Sequence, residues 1–288
     1  MRKSQAPPSV VVGIDGSKAA VRAALWAVDE AVSRDIPLRL VYAGDPRTTS
    51  RTHPDHAARK LAFAEGAIRY ALMTVESTEK PVKIEAEIAQ ARPTTALVRA
   101  SQSAAMVCVG AVGFKRFEHG HLGSTAAALA HAGLCPVAIV RENDAWAGQH
   151  AGSIVVETDE SPGNAVLLKI AIEEARLRKA PLLAVTCWRS RYSDDRDVDA
   201  VADRNRLVRA QLYRRLAQWK RRYPDLQIHS VAAPGSIVDY LANNARSIQL
   251  VVVRAGDHGD VGQLIGPAGN AALHHTDCSV LIANHQNR

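Results

Sequence analysis

The residues best suited to chemistry in this chain are one aspartate and two spaced sets of glycines. Asp15 directly follows the apolar run VVVGI, which carries Gly13, and leads into Gly16-Ser17. Farther on, two residues separate Gly110 from Gly113, and nine separate Gly113 from Gly123-Ser124-Thr125. Glycine lets backbone pass close to a ligand where a Cβ would stand in the way. A glycine-rich turn that opens a helix offers N–H groups and the positive end of the helix dipole to an anion. A carboxylate after a strand is suited to accept hydrogen bonds from ribose hydroxyls. Together these point to a nucleotide: Asp15 on the sugar, Gly110 and Gly113 beside ribose and phosphate, and Gly123, Ser124 and Thr125 on phosphate oxygens. Lys115, Arg116 and His119 lie between the glycines and carry neutralising charge. A plainer reading uses the same residues as a strand-to-helix turn capped by Ser17 and a tight loop with no ligand.

The elements around these residues favour the first reading. Val10–Ile14 is continuously apolar, as in a strand buried on both faces. Lys18–Arg34 carries Val21, Leu25, Val28 and Val32 at helical spacing. A strand at Leu38–Ala43, a helix at Ala57–Val75, a strand at Val82–Ala89, a short helix at Thr94–Gln102, a strand at Met106–Gly110, a helix at Ser124–Ala132 and a strand at Pro136–Val140 follow. Alternation of this kind predicts an α/β fold, a doubly wound parallel sheet with helices on both faces. Asp15 and Gly110 then stand at the carboxyl ends of strands, the rim on which such sheets bind ligands.

The chain also repeats itself. Ser9 begins SVVVGIDGSKAAVRAALWAVDEAVSRDIPLRLVYA and Ser153 begins SIVVETDESPGNAVLLKIAIEEARLRKAPLLAVTC. Asp15 matches Asp159, Glu30 matches Glu174 and Pro37 matches Pro181; later Gly113 matches Gly256, Gly123 matches Gly266 and Cys135 matches Cys278. The two copies are expected at 1–145 and 150–288. The second departs from the glycine pattern. Glu157 replaces Gly13, Val253 is read at the place of Gly110, and Pro267 replaces Ser124, removing a hydroxyl and an N–H together. One competent site in the first copy and a weak or empty one in the second are expected.

Composition narrows the classes. At 47% hydrophobic and 23% charged residues the chain is globular, and no apolar run approaches a membrane span. The N-terminus MRKSQAPPSV has no signal-peptide core, so a cytoplasmic location is expected. The net charge of +7 is divided evenly between the halves, which argues against a nucleic-acid arm. The basic stretch from Arg204 to Pro224 reads as a helix with Val208, Leu212, Leu216 and Trp219 inward and its arginines solvated. Four cysteines without C-x-x-C pairing read as small hydrophobes. His53 and His56, His119 and His121, and His274-His275 lack a matching ligand set, and Asp194, Asp195, Asp197 and Asp199 lack the glycine and glutamate of a calcium loop. The G-x4-G-K-[ST] of P-loop enzymes is absent, as is G-x-G-x-x-G after the first strand.

VVVGIDGS, G-x2-G-x9-G-[ST] from Gly110 to Ser124 and HAGLCPVAIVR resemble the universal stress protein family, in its tandem actinobacterial, ATP-binding form. The resemblance spans nearly the whole chain. It implies a five-stranded parallel sheet per domain in the order 3-2-1-4-5 and ATP bound with a divalent ion, Mg, through its phosphates. Carried over, Asp15 holds ribose, backbone near Val41 faces adenine, and Gly13, Gly110, Gly113, Gly123, Ser124 and Thr125 surround ribose and phosphates. It further implies a nucleotide-dependent regulator in stress or dormancy responses, with a regulatory protein partner and a homodimer as further expectations. Two other readings stay open: a nucleotide-free interaction module, and a slow ATPase, for which the sequence supplies no nucleophile–base pair.

Overall fold

The computed structural model describes residues 8–44, 54–113, 122–141, 152–159, 163–188, 198–244, 247–255, 260–276 and 278–284. Contacts divide the chain into two compact units, one built on Met1–Glu142 and the other on Asn143–Ala283. Unit 1 runs β1 (Val10–Ile14), α1 (Lys18–Arg34), β2 (Leu38–Ala43), α2 (Pro54–Glu76), β3 (Ile84–Ala89), α3 (Pro93–Ala100), β4 (Met106–Gly110), α4 (Ser124–Ala132) and β5 (Val137–Val140). Its strands lie in the order β3-β2-β1-β4-β5, all parallel. The chain winds outward from β1 to β3, then crosses back to place β4 on the other side of β1. Strand order therefore reverses between β1 and β4, which opens a crevice beyond their carboxyl ends. Right-handed crossovers put α1 and α2 on one face and α3 and α4 on the other.

β1 is a strand because three valines in a row suit a pleat covered on both faces; Val10 and Val12 are fully buried. Helix α1 starts at an N-cap, Ser17, whose hydroxyl accepts the Ala20 N–H, and stops at Asp35 in the left-handed region, φ 51°. Its buried face differs from the expected stripe. Val21 and Val28 are buried as expected, but Leu25 and Val32 are only half-buried, and Ala20, Ala23, Ala24, Ala27 and Ala31 fill the rest of the face. Small side chains let the helix axis lie close over β1 and β4, so alanines take the inner positions. Helix α2 begins a turn earlier than expected, with Pro54 leading it.

Unit 2 repeats the plan: β6 (Ser153–Glu157), α5 (Asn164–Leu177), β7 (Leu182–Trp188), α6 (Val198–Arg222), β8 (Ile228–Pro234), α7 (Ile237–Asn243), β9 (Ile248–Arg254), α8 (Asp260–Ile265), α9 (Pro267–Thr276) and β10 (Ser279–Ala283). Its strands are parallel in the order β8-β7-β6-β9-β10. Along α6, Val208, Leu212 and Leu216 are buried, Trp219 is half-buried, and Arg206, Arg209, Arg214, Arg221 and Arg222 are exposed. All four cysteines are free thiols, three of them buried.

One buried polar feature occurs in both units. Glu30 on α1 and Glu174 on α5 are almost completely buried, and each pairs with an arginine one turn on, Arg34 and Arg178. Burying a carboxylate without such a partner would cost several kcal/mol, on the order of the desolvation of a charge.

Candidate functional site

At the end of β1 the sequence IDGS performs the local work of a turn. One oxygen of Asp15, Oδ1, accepts the Ser17 N–H at 2.9 Å, and the Ser17 hydroxyl accepts the Ala20 N–H at 3.1 Å. Gly16 sits at φ +85°, a conformation that glycine adopts without strain. The capping role is therefore present. The other oxygen of Asp15 faces across the crevice: a Cβ on Gly113 would lie 2.9 Å from Asp15 Oδ2. With glycine there the loop after β4 passes close to the carboxylate, and a side chain would require the Asp15 carboxylate to shift.

Gly123 closes the same rim. Its N–H donates to the Ala111 carbonyl at 2.8 Å, and its own carbonyl accepts the Ala127 N–H at 2.9 Å to start α4. A Cβ there would lie 3.3 Å from that Ala111 oxygen and 3.5 Å from the Gly113 nitrogen. Among the described residues no side chain caps this helix. The N–H groups of its first turn thus keep the dipole's positive end open to an anion, beside an exposed Ser124 and a half-buried Thr125.

Asp15, Gly113 and Gly123 are brought together. Gly13 and Gly110 also have packing reasons to be glycine. A Cβ on Gly110 would lie 2.7 Å from both the Cβ and the carbonyl carbon of Ala19 in α1, and one on Gly13 would lie 2.8 Å from Leu97 Cδ1 in α3. Val41, in register with Gly13, has its side chain buried within the sheet. Lys115, Arg116 and His119 lie outside the described residues, as do His53, His121, Asp194, Asp195, Asp197 and Gly256.

Two aromatic residues at the rim carry no motif that marks them in the sequence. Burial pushes the Tyr42 phenol above its ordinary pKa, and the Asp15 carboxylate adds to the shift. Tyr42 is therefore a neutral hydroxyl beside that carboxylate. Phe63 of α2 meets its ring edge-on, centroids 6.4 Å apart, and a Cβ on Gly16 would lie 3.0 Å from Phe63 Cζ. The aromatic pair walls the turn that carries Asp15. Its only sequence signal is an aromatic residue at the end of a strand next to Val41.

The rim of unit 2 is built differently. Strand pairing corrects the alignment of the copies: Val10 faces Met106 and Val12 faces Cys108, while Ile154 faces Leu250 and Val156 faces Val252. Counting on from these pairs, Arg254, not Val253, takes the place of Gly110. The missing residue of the second copy belongs to the loop after the strand. Arg254 donates from Nη2 to Asp159 Oδ2 at 2.8 Å, and Asp159 is the counterpart of Asp15. The Asp159 carbonyl accepts from Arg215 Nη1 at 2.7 Å and from Asn164 Nδ2 at 2.6 Å. Gly266, matching Gly123, gives its N–H to the Gly262 carbonyl at 2.9 Å, and α9 opens on Pro267, which has no N–H.

Among the described residues no group of three or more His, Cys, Asp or Glu side chains is placed to hold a metal ion. No described helix is long and apolar enough to cross a membrane. A cavity of about 380 Å³ lined by Arg176, Lys179, Asp225 and Gln227 lies at the other end of the unit 2 strands, away from the rim of that unit.

The universal stress protein family model matches residues 8–141 and again 151–284. A universal stress protein of Mycobacterium tuberculosis is 51% identical over 286 residues, covering 99% of each chain. The crystal structure of a universal stress protein from Archaeoglobus fulgidus covers 97% of each chain with a TM-score of 0.70 at 14% identity. A shorter universal stress protein, solved in complex with cAMP, is 27% identical and covers 46% of this chain and 96% of its own, with a TM-score of 0.36.

Proposed function

The chain belongs to the universal stress protein family, as two tandem copies of its domain, and from that premise we propose that unit 1 binds ATP while unit 2 does not. The observation that carries this reading is the convergence of Asp15 Oδ2, Gly113 and the uncapped start of α4 on one rim at the strand-order reversal. Asp15 accepts from ribose hydroxyls. Gly113 lets the sugar and α-phosphate lie against backbone. The first-turn N–H groups of α4, with the hydroxyls of Ser124 and Thr125, take phosphate oxygens. Backbone at the end of β2, beside Val41, borders the base, and Tyr42 and Phe63 supply an apolar wall there. In this reading a divalent ion would be carried on the phosphates.

In this reading ATP acts as a signal, and occupancy orders the rim presented to a regulatory partner in a stress or dormancy response. The reading takes hydrolysis to be at most slow, since efficient turnover needs a positioned water and charge stabilisation for which the sequence offers no marked residues. The domain division at 1–145 and 150–288 is retained as part of the proposal, as are a cytoplasmic location and a homodimer. Calorimetric titration of the nucleotide-stripped full chain with Mg-ATP tests it. About one site per chain, lost in Asp15→Ala, is expected. The absence of any binding heat would leave the rim without a nucleotide role and favour an interaction module.

A further inference from the structure

We infer that Arg254 is a built-in occupant of the second rim, a residue whose guanidinium takes the place a nucleotide's ribose would take on Asp159. The inference rests on the reading of unit 1 as a nucleotide site. In unit 1, β4 ends at Gly110, and Ala19 of α1 fills the space beside it: a Cβ on Gly110 would come within 2.7 Å of the Ala19 Cβ. In unit 2 both sides of that contact are exchanged. The strand residue becomes Arg254 and the residue matching Ala19 becomes Gly163. Arg254 runs over the bare Gly163, where an added Cβ would sit 3.5 Å from its Nη1 and 3.9 Å from its Cδ and Cζ.

Each exchange makes sense through the other. An arginine opposite alanine would collide with the helix, and a glycine opposite glycine would leave a gap. The arginine so accommodated reaches Asp159 Oδ2 at 2.8 Å, as a charge-assisted hydrogen bond. Asp159 is the one rim carboxylate the second copy retains. Its acceptor oxygen is thereby used by the chain itself, and a positive group fills the volume a sugar would enter. The side chains of Arg254 and Asp159 remain 33% and 54% exposed, so the pair stands at the mouth of the crevice and not in the core.

The test is read by Mg-ATP calorimetry on the nucleotide-stripped full chain, with circular dichroism melts to certify folding. Arg254→Gly combined with Pro267→Ser, which returns the hydroxyl and the N–H at the start of α9, is expected to raise the stoichiometry from about one to about two sites per chain, whereas Pro267→Ser alone leaves it at about one. A folded double variant that still binds one nucleotide overturns the inference, and so does a second site gained by Pro267→Ser alone. The reading of unit 1 fails separately, if the unaltered chain binds nothing. In that case a site gained by the double variant and not by Pro267→Ser would still support the inference, and none gained would overturn it.

Discussion

At the end of β1 the carboxylate of Asp15 looks across to a bare glycine, whereas at the end of β6 the carboxylate of Asp159 is met by Arg254. The sheets below these rims have the same strand order and direction. Both first helices bury a glutamate against an arginine one turn later. The two copies have thus diverged where side chains face the crevice and have kept what the core requires. A buried carboxylate cannot be altered alone without breaking an ion pair with its arginine, while a rim residue can change once its neighbour changes with it.

Three further experiments press on that contrast. The largest effect belongs to Gly123→Asp, which sets a carboxylate at the uncapped start of α4. Mg-ATP affinity should fall about 100-fold or more, from repulsion of the phosphates. Gly123→Ala presents the same Cβ to the Ala111 carbonyl without the charge and should bind far better than the aspartate variant. Equal loss in both would make the effect steric, and the two rims would no longer differ by their electrostatics.

The next effect probes what the copies share. Glu30→Gln and Glu174→Gln each weaken a buried ion pair, and each should cost its own unit about 1–3 kcal/mol. Hydrogen exchange at the amides of β1 and β6 reads the two units separately. Similar losses are expected; a large loss in one unit alone would break the claim that their interiors stayed equivalent.

The smallest effect lies in a helix cap. In unit 2, α7 starts with a reciprocal pair, Ser236 accepting from the Asp239 N–H and Asp239 accepting from the Ser236 N–H. In unit 1, α3 has no side-chain cap and relies on Pro93. The Ser236 hydroxyl, with its N–H, holds the Asp239 carboxyl below the ordinary aspartate range. A lowered folded value means the cap's contribution is complete above the unfolded value, near pH 4, and fades as pH falls through the folded one. The loss should amount to a few tenths of a kcal/mol, since the group is exposed. Protection of the α7 amides, corrected for the intrinsic exchange rate at each pH, should fall as pH drops below about 4 while α3 shows no matching step.

Much of this was legible in the amino-acid order. β1, α1, β2, β4 and α4 were bounded by valine runs, an N-cap serine and glycines whose meaning is local. The inner face of α1 was harder to read, because alanine is ambiguous by hydrophobicity and is chosen there for its size. The occupant of Gly110's place in unit 2 was misread for another reason. LVVVRAG can be set against MVCVGAVG with its gap on either side of Arg254, and only the pairing of β6 with β9 decides between them. Tyr42 and Phe63 were missed because they meet across two elements, with no shared motif to announce them.

The pair of Arg254 and Asp159 also bears on how the molecule would respond to dose. On the proposed reading, with unit 1 binding and the second rim filled by its own chain, the two rims could not exchange free energy through a shared ligand, and each chain would carry one receptor. Its occupancy would follow a simple hyperbola, needing an 81-fold rise in free ATP to pass from one-tenth to nine-tenths full, on the order expected of any single site. Such a chain would register the nucleotide level in proportion, over a broad range, and any sharp threshold in the response would have to be made by whatever it touches.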